Sequence, residues 1–374
     1  MRIAILGAGP AGLYLGYLIK RRAPDADVTI IEQNPAGATF GFGVVFSDRA
    51  LEFLREDDEE TFAAIVPQTE SWRDMTLNLR GERIVIDGIG FAAVGRLKLL
   101  QLLQARAASV RATAVYGCTV KSLDELADFD LIVGADGVNS LVRRTHEDAF
   151  GASVRYLSNR FAWFGTAKPF DSLTQTFVET EWGAFNAHHY RYQPDKSTFI
   201  VEVDEATFAR AGLAPMSEAD AKAFCERVFA EALGGEALIS NHSIWRQFPI
   251  VHNERWSHGN CVLIGDALHT AHFSIGSGTR LALEDAIALD KALAAHRDTG
   301  AALAAYEAAR RPIQEKLVAG ANGSAQWYEN FAAHMKLPPA DFAMSYITRS
   351  GRVDIERLRK LSPGFVAWYE AKHG

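Results

Sequence analysis

The sequence predicts an α/β fold: a parallel sheet wrapped by helices, interrupted by a mostly antiparallel β layer and followed by a helical C-terminal region. Three observations carry this. The apolar strand Ile3-Ala4-Ile5-Leu6 runs into Gly7-Ala8-Gly9-Pro10-Ala11-Gly12 and then a helical stretch to about Arg22. Aromatic and β-branched runs fill residues 155–252, and helical patterns dominate after Gly265-Asp266. The 374 residues suffice for about two domains. A net charge of −7 argues against nucleic acid as a partner. Cys118, Cys225 and Cys261 match neither a disulfide framework nor metal-ligand spacing, so reduced, buried thiols and a cytoplasmic setting are expected, with no metal. Residues 3–19 are apolar, but three glycines and a proline argue against a leader or span, and no other stretch is long and uncharged enough for a membrane.

The elements follow in order. Val28-Thr29-Ile30-Ile31 is the second strand, and a helix is expected around Ser47 to Leu54. Asp57-Asp58-Glu59-Glu60 reads as a solvated acidic surface. Alternating Met75, Leu77 and Leu79, then Ile84 and Ile86 after Arg80-Gly81-Glu82, signal a hairpin. A helix is expected from Arg96 to Ala108 and a strand at Leu131–Gly134. Strands are expected over 160–168, 174–180, 185–192 and 198–204, with a helix from about Ser217 to Leu233 capped by Ser217. Helices should then cover about Gly278 to His296 and Gly300 to Gly320.

The glycines of the first turn let the backbone approach a pyrophosphate, while the helix beginning near Pro10 offers N–H groups and positive dipole potential. Glu32, with Gln33 beside it, lies 20 residues past Gly12 at a strand end, where a carboxylate can take a ribose hydroxyl. Together these predict a Rossmann-like dinucleotide site. Two later segments repeat the strand-to-turn pattern: Leu131-Ile132-Val133-Gly134-Ala135-Asp136-Gly137, followed by Ser140 and Arg143, and Cys261-Val262-Leu263-Ile264-Gly265-Asp266.

With these three signatures in order, the chain resembles the FAD-dependent aromatic hydroxylases of the para-hydroxybenzoate hydroxylase type, over about residues 1–320. The resemblance implies FAD, held by Gly7, Gly9, Pro10, Ala11, Gly12, Glu32, Gln33, Arg96, Asp136, Gly265, Asp266, His269, Gly276, Gly278 and Thr279. It also implies a discontinuous FAD-binding domain (1–70, 94–154 and 253–325), an inserted β-sheet substrate domain (71–93 and 155–252) and a helical C-terminal extension (326–374). There is one dinucleotide fingerprint, so NADH or NADPH is expected as a transient reductant, with molecular oxygen as co-substrate. In the implied cycle hydride reduces FAD, oxygen adds at C4a, and the hydroperoxide delivers an electrophilic oxygen to an aromatic ring.

After Gly265-Asp266 the chain departs from the common pattern of two prolines and reads His269-Thr270-Ala271-His272-Phe273-Ser274-Ile275-Gly276-Ser277-Gly278-Thr279. This segment, Gly41-Phe42-Gly43-Val44-Val45-Phe46-Ser47 and Tyr346-Ile347-Thr348-Arg349-Ser350-Gly351-Arg352 resemble the salicylyl-CoA 5-hydroxylases and the hydroxylase half of 2-aminobenzoyl-CoA monooxygenase/reductase. The chain length favours the former. The implied partner is an aromatic acyl-CoA, acted on by a monomer or homodimer. Ring carbon 5 of salicylyl-CoA is para to the hydroxyl and meta to the thioester, which suits electrophilic attack.

Candidate bases for the phenol are His272, ranked first because it lies on the flavin loop, then His188, His189 and Tyr190. His188 and His189 are adjacent, so on a strand only one can face the cleft. Arg349, Arg352 and Arg357 are candidates for the CoA phosphates. Trp163, Trp182 and Trp245 could wall the ring site. The alternatives are a hydroxylase of 2-aminobenzoyl-CoA or of a free aromatic acid, a flavin halogenase, and a non-catalytic FAD-containing sensor.

Overall fold

A computed structural model describes residues 1–47, 50–112 and 114–374. Its first sheet has six strands in the spatial order Ser257–His258, Cys261–Leu263, Leu131–Gly134, Arg2–Leu6, Asp27–Glu32 and Ala114–Tyr116. All neighbours pair in parallel except the short first strand, which is antiparallel to Cys261–Leu263. Central strands of a parallel sheet are covered on both faces, which explains why Ile3-Ala4-Ile5-Leu6 and Leu131-Ile132-Val133 are continuous apolar runs. The helices Pro10–Arg22 and Gly278–Ala295 pack side by side over this sheet.

The second sheet has the spatial order Leu238–Ile239, Ala152–Thr166, Lys196–Val203, Gly183–Gln193, Leu173–Thr180, Met75–Leu79 and Glu82–Ile86, with Arg246–Asn253 paired to the start of the long strand Ala152–Thr166. The hairpin Met75–Ile86 joins it through a parallel pairing with Leu173–Thr180. A small sheet of Gly43–Ser47, Phe91–Gly95 and Glu70–Trp72 lies between the two. It is pinned to the second sheet at Gly43, whose N–H donates to Thr198 Oγ1 (2.8 Å) and whose carbonyl accepts from Tyr190 Oη (2.9 Å).

Period-two alternation gives the second sheet two unlike faces. On the outer face Phe164, Phe185, Phe199, Val201 and Val203 form a core with Phe224, Phe229 and Leu233 from the covering helices. On the inner face, register aligns Trp163, Ile200, His188, Gln175 and Leu77 in one cross-strand row, and Phe161, Glu202, Asn186, Phe177 and Leu79 in the next.

Four expectations need correction. The helix expected over Ser47–Leu54 begins later: Ser47 closes a strand, the helix runs Glu52–Asp57, and residues 48–49 lie outside the described residues. Asp58 is not a solvated surface acid. It is buried, caps the helix Glu59–Ile65 at Thr61 N, accepts from Tyr14 and Tyr17, and pairs with Arg21 at 2.8 Å. The helix expected to stop at Gly320 continues, as Thr299–Glu329, because Gly320 makes room for Arg352, whose Cδ would sit 2.9 Å from an added Cβ. The residues after 326 are helical as expected, and Trp327, Tyr328, Phe342 and Tyr346 pack with Leu77, Leu79, Leu173 and Phe177 and so cover the inner face. Cys118 is exposed, while Cys225 and Cys261 are buried as expected.

Candidate active site

Adjacent strands bring the three signatures together. Gly7 adopts φ +101° and lies so close to the second signature that a Cβ there would meet Ala135 O at 2.3 Å. Ala135 N donates back to Leu6 O (2.8 Å), and Ile264 N donates to Gly134 O (3.0 Å). Arg143 is buried and its Nη1 donates to Ala267 O at 2.8 Å, so the second signature holds the third. Asp285, also buried, accepts from Gly265 N (3.1 Å), His269 Nε2 (2.9 Å) and Arg310 Nε (2.9 Å). Burial alone would raise its pKa, but these partners hold it below the usual carboxylate range. His269 therefore reaches inward to brace the Gly265-Asp266 turn, with its Nδ1 unpartnered.

The residues at this junction fit FAD. Gly9 caps the helix Pro10–Arg22 without a side chain, and nothing lies within 4 Å of where a Cβ would stand, which leaves the helix N-terminus open to an anion. Ala11 and Gly12 form the first turn of that helix, and Pro10 at its start removes a donor that would have no helical partner. Glu32 accepts from Ala8 N at 2.9 Å and from Asn34, so its carboxylate is aimed along the glycine turn; Gln33 beside it is exposed. Asp136 accepts from Leu141 N (2.6 Å) while its Oδ1 is buried without a partner. Burial raises the Asp136 pKa against those hydrogen bonds.

Arg96 and Asp266 lie near enough for each to act on the charge of the other. Each has a water-exposed side, yet protein surrounds the rest. Burial lowers the Arg96 pKa and raises that of Asp266, and each partly offsets the shift of the other. Gly276 (φ +60°) packs on Val45 O, and Gly278 and Thr279 open the helix Gly278–Ala295 with no side-chain cap.

On the inner face of the second sheet polar atoms go unpaired. Of the 16 buried side-chain N and O atoms without a partner among the described residues, half belong to Asn159, Trp163, Gln175, Asn186, His188 and Glu202. Native interiors pair nearly all such groups, so a concentration of orphans marks a surface built for a polar ligand. Both nitrogens of His188 are unpartnered, and burial followed by the charge of Arg349 pulls its pKa to about 3. Glu202 accepts from Asn159 Nδ2 at 2.9 Å, and burial pushes its pKa up to about 8.

The other candidates separate. His189 points to the outer face, stacks on Phe199 (5.0 Å between centroids) and bonds Thr176 Oγ1, so it does not face the cleft. Tyr190 faces inward, but its hydroxyl is committed to Gly43 O and burial raises its pKa, so it is a strut rather than a base. His272 is buried with Nδ1 on Ser274 Oγ at 2.8 Å, and burial lowers its pKa to about 3. Trp163 lies beneath Arg96 on the inner face, whereas Trp182 and Trp245 pack into the outer core.

Arg349 is not a free phosphate ligand. Its Nε donates to Ser324 Oγ (2.9 Å), Nη1 to Tyr346 O (2.7 Å) and Nη2 to Ser274 O (3.0 Å), and it lies 3.8 Å over the Tyr346 ring. Arg352 and Arg357 are exposed. Burial and then the charges of Arg280 and Arg357 lower the Arg352 pKa; Arg357 Nη1 donates to Arg352 O at 3.2 Å, and Arg280 Nε pairs with Glu284 at 2.7 Å.

Sequence reasoning missed Gln175, Asn186 and Glu202. The signal was their alternation within apolar strands; the side chosen by each register was not visible.

A family model described as "FAD binding domain" matches residues 57–321. The chain belongs to the FAD-dependent aromatic monooxygenases. It is 41% identical over 361 residues to a salicyloyl-CoA 5-hydroxylase of Streptomyces sp, covering 94% of this chain and 70% of that one. It is 35% identical to the 3-hydroxy-4-methyl-anthranilyl-[aryl-carrier protein] 5-monooxygenase of Streptosporangium sibiricum, covering 98% and 99%. A mutant of 2-methyl-3-hydroxypyridine-5-carboxylic acid oxygenase, in its crystal structure, shares the fold at a TM-score of 0.72 and 18% identity, covering 93% and 96%. Use of FAD and oxygen follows from the family, where NAD(P)H is the typical reductant. No helix among the described residues is long and apolar enough to cross a membrane.

Proposed function

We propose that this monooxygenase hydroxylates an aromatic acyl thioester, with salicylyl-CoA to gentisyl-CoA as the leading case. The observation that carries the reading is the inner face: an aromatic wall (Phe161, Trp163, Phe273) interleaved with the unpartnered polar atoms of Gln175, Asn186 Oδ1 and His188. Such a surface suits a flat ring bearing polar substituents. The relative acting on salicyloyl-CoA and the one acting on an aryl-carrier protein both carry a thioester, which supports that handle.

When bound, FAD supplies the oxygen transfer; the chain supplies position and protons. Asp266 and Arg96 place opposite charges near the Gly265-Asp266 turn, and the uncapped N-terminus of the helix Gly278–Ala295 offers N–H groups to developing negative charge. His188, neutral because it is buried, has a free lone pair to accept a hydrogen bond from the phenol O–H and so orient the ring. Trp327, Phe342 and Tyr346 close the C-terminal side against water. Arg352 and Arg357, both exposed, are the groups open to a phosphate of the carrier arm.

The test compares NADH and NADPH oxidation with salicylyl-CoA, 2-aminobenzoyl-CoA, their free acids and a carrier-bound aryl group, followed by product mass under labelled oxygen. The expected result is one labelled oxygen in the hydroxylated thioester. Turnover with the free acid alone would overturn the thioester assignment.

A further inference from the structure

We propose that His272 is a fixed hydrogen-bond donor, not a base, and that Arg349, Ser324 and Ser274 set it in that state. The four side chains form a chain of contacts: Arg349 Nε to Ser324 Oγ (2.9 Å), Ser324 Oγ to Ser274 Oγ (2.7 Å), and Ser274 Oγ to His272 Nδ1 (2.8 Å). Distances alone do not say which way the protons point, but an inventory of them does.

A guanidinium has no lone pair to offer, so Arg349 donates and Ser324 Oγ accepts. Ser324 is fully buried, and its single proton needs an acceptor of its own. Among the described residues the partner within reach is Ser274 Oγ. Ser274 thereby accepts, and its own proton is left for His272 Nδ1. The reverse direction would strand the Ser324 hydroxyl proton in the interior, an unfavourable outcome for a buried donor. Nδ1 is thus an acceptor, and the imidazole proton resides on Nε2.

The surroundings keep the ring in that form. Phe273, Phe248 and Tyr328 lie at centroid distances of 4.2, 4.9 and 5.8 Å, and the charged or titratable groups facing it are Arg349, His188 and the Tyr328 phenol. An added proton would meet apolar rings and a guanidinium. Nε2–H has no hydrogen bond to a described residue, so it is available to an oxygen acceptor on the bound ligand.

His188 and His272 then have opposite tasks: His188 accepts, and His272 donates. Arg349 and Ser324 are positioning residues, acting through His272. The identity of the acceptor, an oxygen of the acyl arene, rests on the function proposed above; the tautomer does not.

Ring-15N-labelled histidine in the FAD-loaded protein, with the His272 signals assigned from a His272→Gln sample, reads the tautomer directly. The expected result is an unprotonated Nδ1 and a protonated Nε2, unchanged between pH 5.5 and 8.5. A protonated Nδ1, or an imidazolium appearing in that range, overturns the proposal.

Ser324→Ala should mix the tautomers and raise KM by up to about tenfold, the size of one hydrogen bond. Ser324→Thr, which keeps the hydroxyl, should restore both. A merely structural serine would lower Tm and leave the 15N pattern as it was, which also overturns the proposal. If no acyl arene is hydroxylated while the 15N pattern is as expected, the proposed function fails and the tautomer assignment stands.

Discussion

The outer and inner faces of the second sheet are made from the same four strands and differ by one residue of register. Outward, Phe164, Phe185, Phe199, Val201 and Val203 interlock with helices and leave little polar chemistry. Inward, Gln175, Asn186, His188 and Glu202 are just as buried, and each keeps at least one polar atom without a partner. Burial alone therefore does not mark a structural residue. The sorting variable is whether the protein itself satisfies the side chain. Outward positions hold stability, and inward positions hold a place for something else.

The glycine turn offers the sharpest version of that contrast, and the largest expected effect. A Cβ at Gly12 would sit 2.0 Å from Gly7 O, whereas one at Gly9 would meet nothing. Gly9→Val should therefore fold with nearly normal circular dichroism but emerge colourless, while Gly12→Val should fail to fold. Yellow, FAD-loaded Gly9→Val would break the assignment of that open face to the cofactor.

Next come the neighbouring histidines. His188→Ala should lower kcat/KM by about tenfold, the size of one hydrogen bond, with Tm held. His189→Ala should keep turnover and lose thermal stability, since its ring fills the outer core. Steady-state kinetics beside a melting curve decides between them, and equal loss of turnover in both would erase the distinction between faces. On the same outer face Phe199→Ala should cost about 3–5 kcal/mol in urea unfolding, with KM unchanged.

Glu202 gives a pH signature. Its pKa is near 8 folded against an ordinary 4.5, so between those values the folded protein binds the extra proton. Stability contributed by the neutral carboxyl is complete below about pH 4.5 and declines as pH rises towards 8, by roughly 1.4 kcal/mol per pH unit at most. Glu202→Gln should flatten that decline and melt higher than the parent at pH 8; parallel curves would show that Glu202 is ionised in the fold. The smallest expected effect is Gln175→Leu. Removing two unpartnered amide atoms should leave stability unchanged or raise it by about 1–3 kcal/mol, while KM rises. A clear drop in Tm would mean that Gln175 is held by the protein after all.

Much of this was legible in the sequence because the determinants are local. The glycine turn, the strand ends at Gly134 and Ile264 and the Ser217 cap each depend on a few consecutive residues. Alternation also announced that His188 and His189 must part company. What escaped is non-local. The acidic run at 57–60 gives no hint that Tyr14, Tyr17 and Arg21 converge on Asp58. Nor does the basic tail disclose that Arg349 folds back onto Ser324 and Tyr346 instead of meeting phosphate. Pairing between residues far apart in the chain decides whether a charge is spoken for, and a single sequence does not print those pairs.

The aromatic cover formed by Trp327, Phe342 and Tyr346 has a consequence for the order of manufacture. The ribosome delivers both sheets before these side chains exist, so the reaction chamber is the last compartment to be walled. Trp327→Ala should still tint yellow but leak its reducing power into hydrogen peroxide, which a catalase-coupled oxygen electrode would register as NAD(P)H consumed without product.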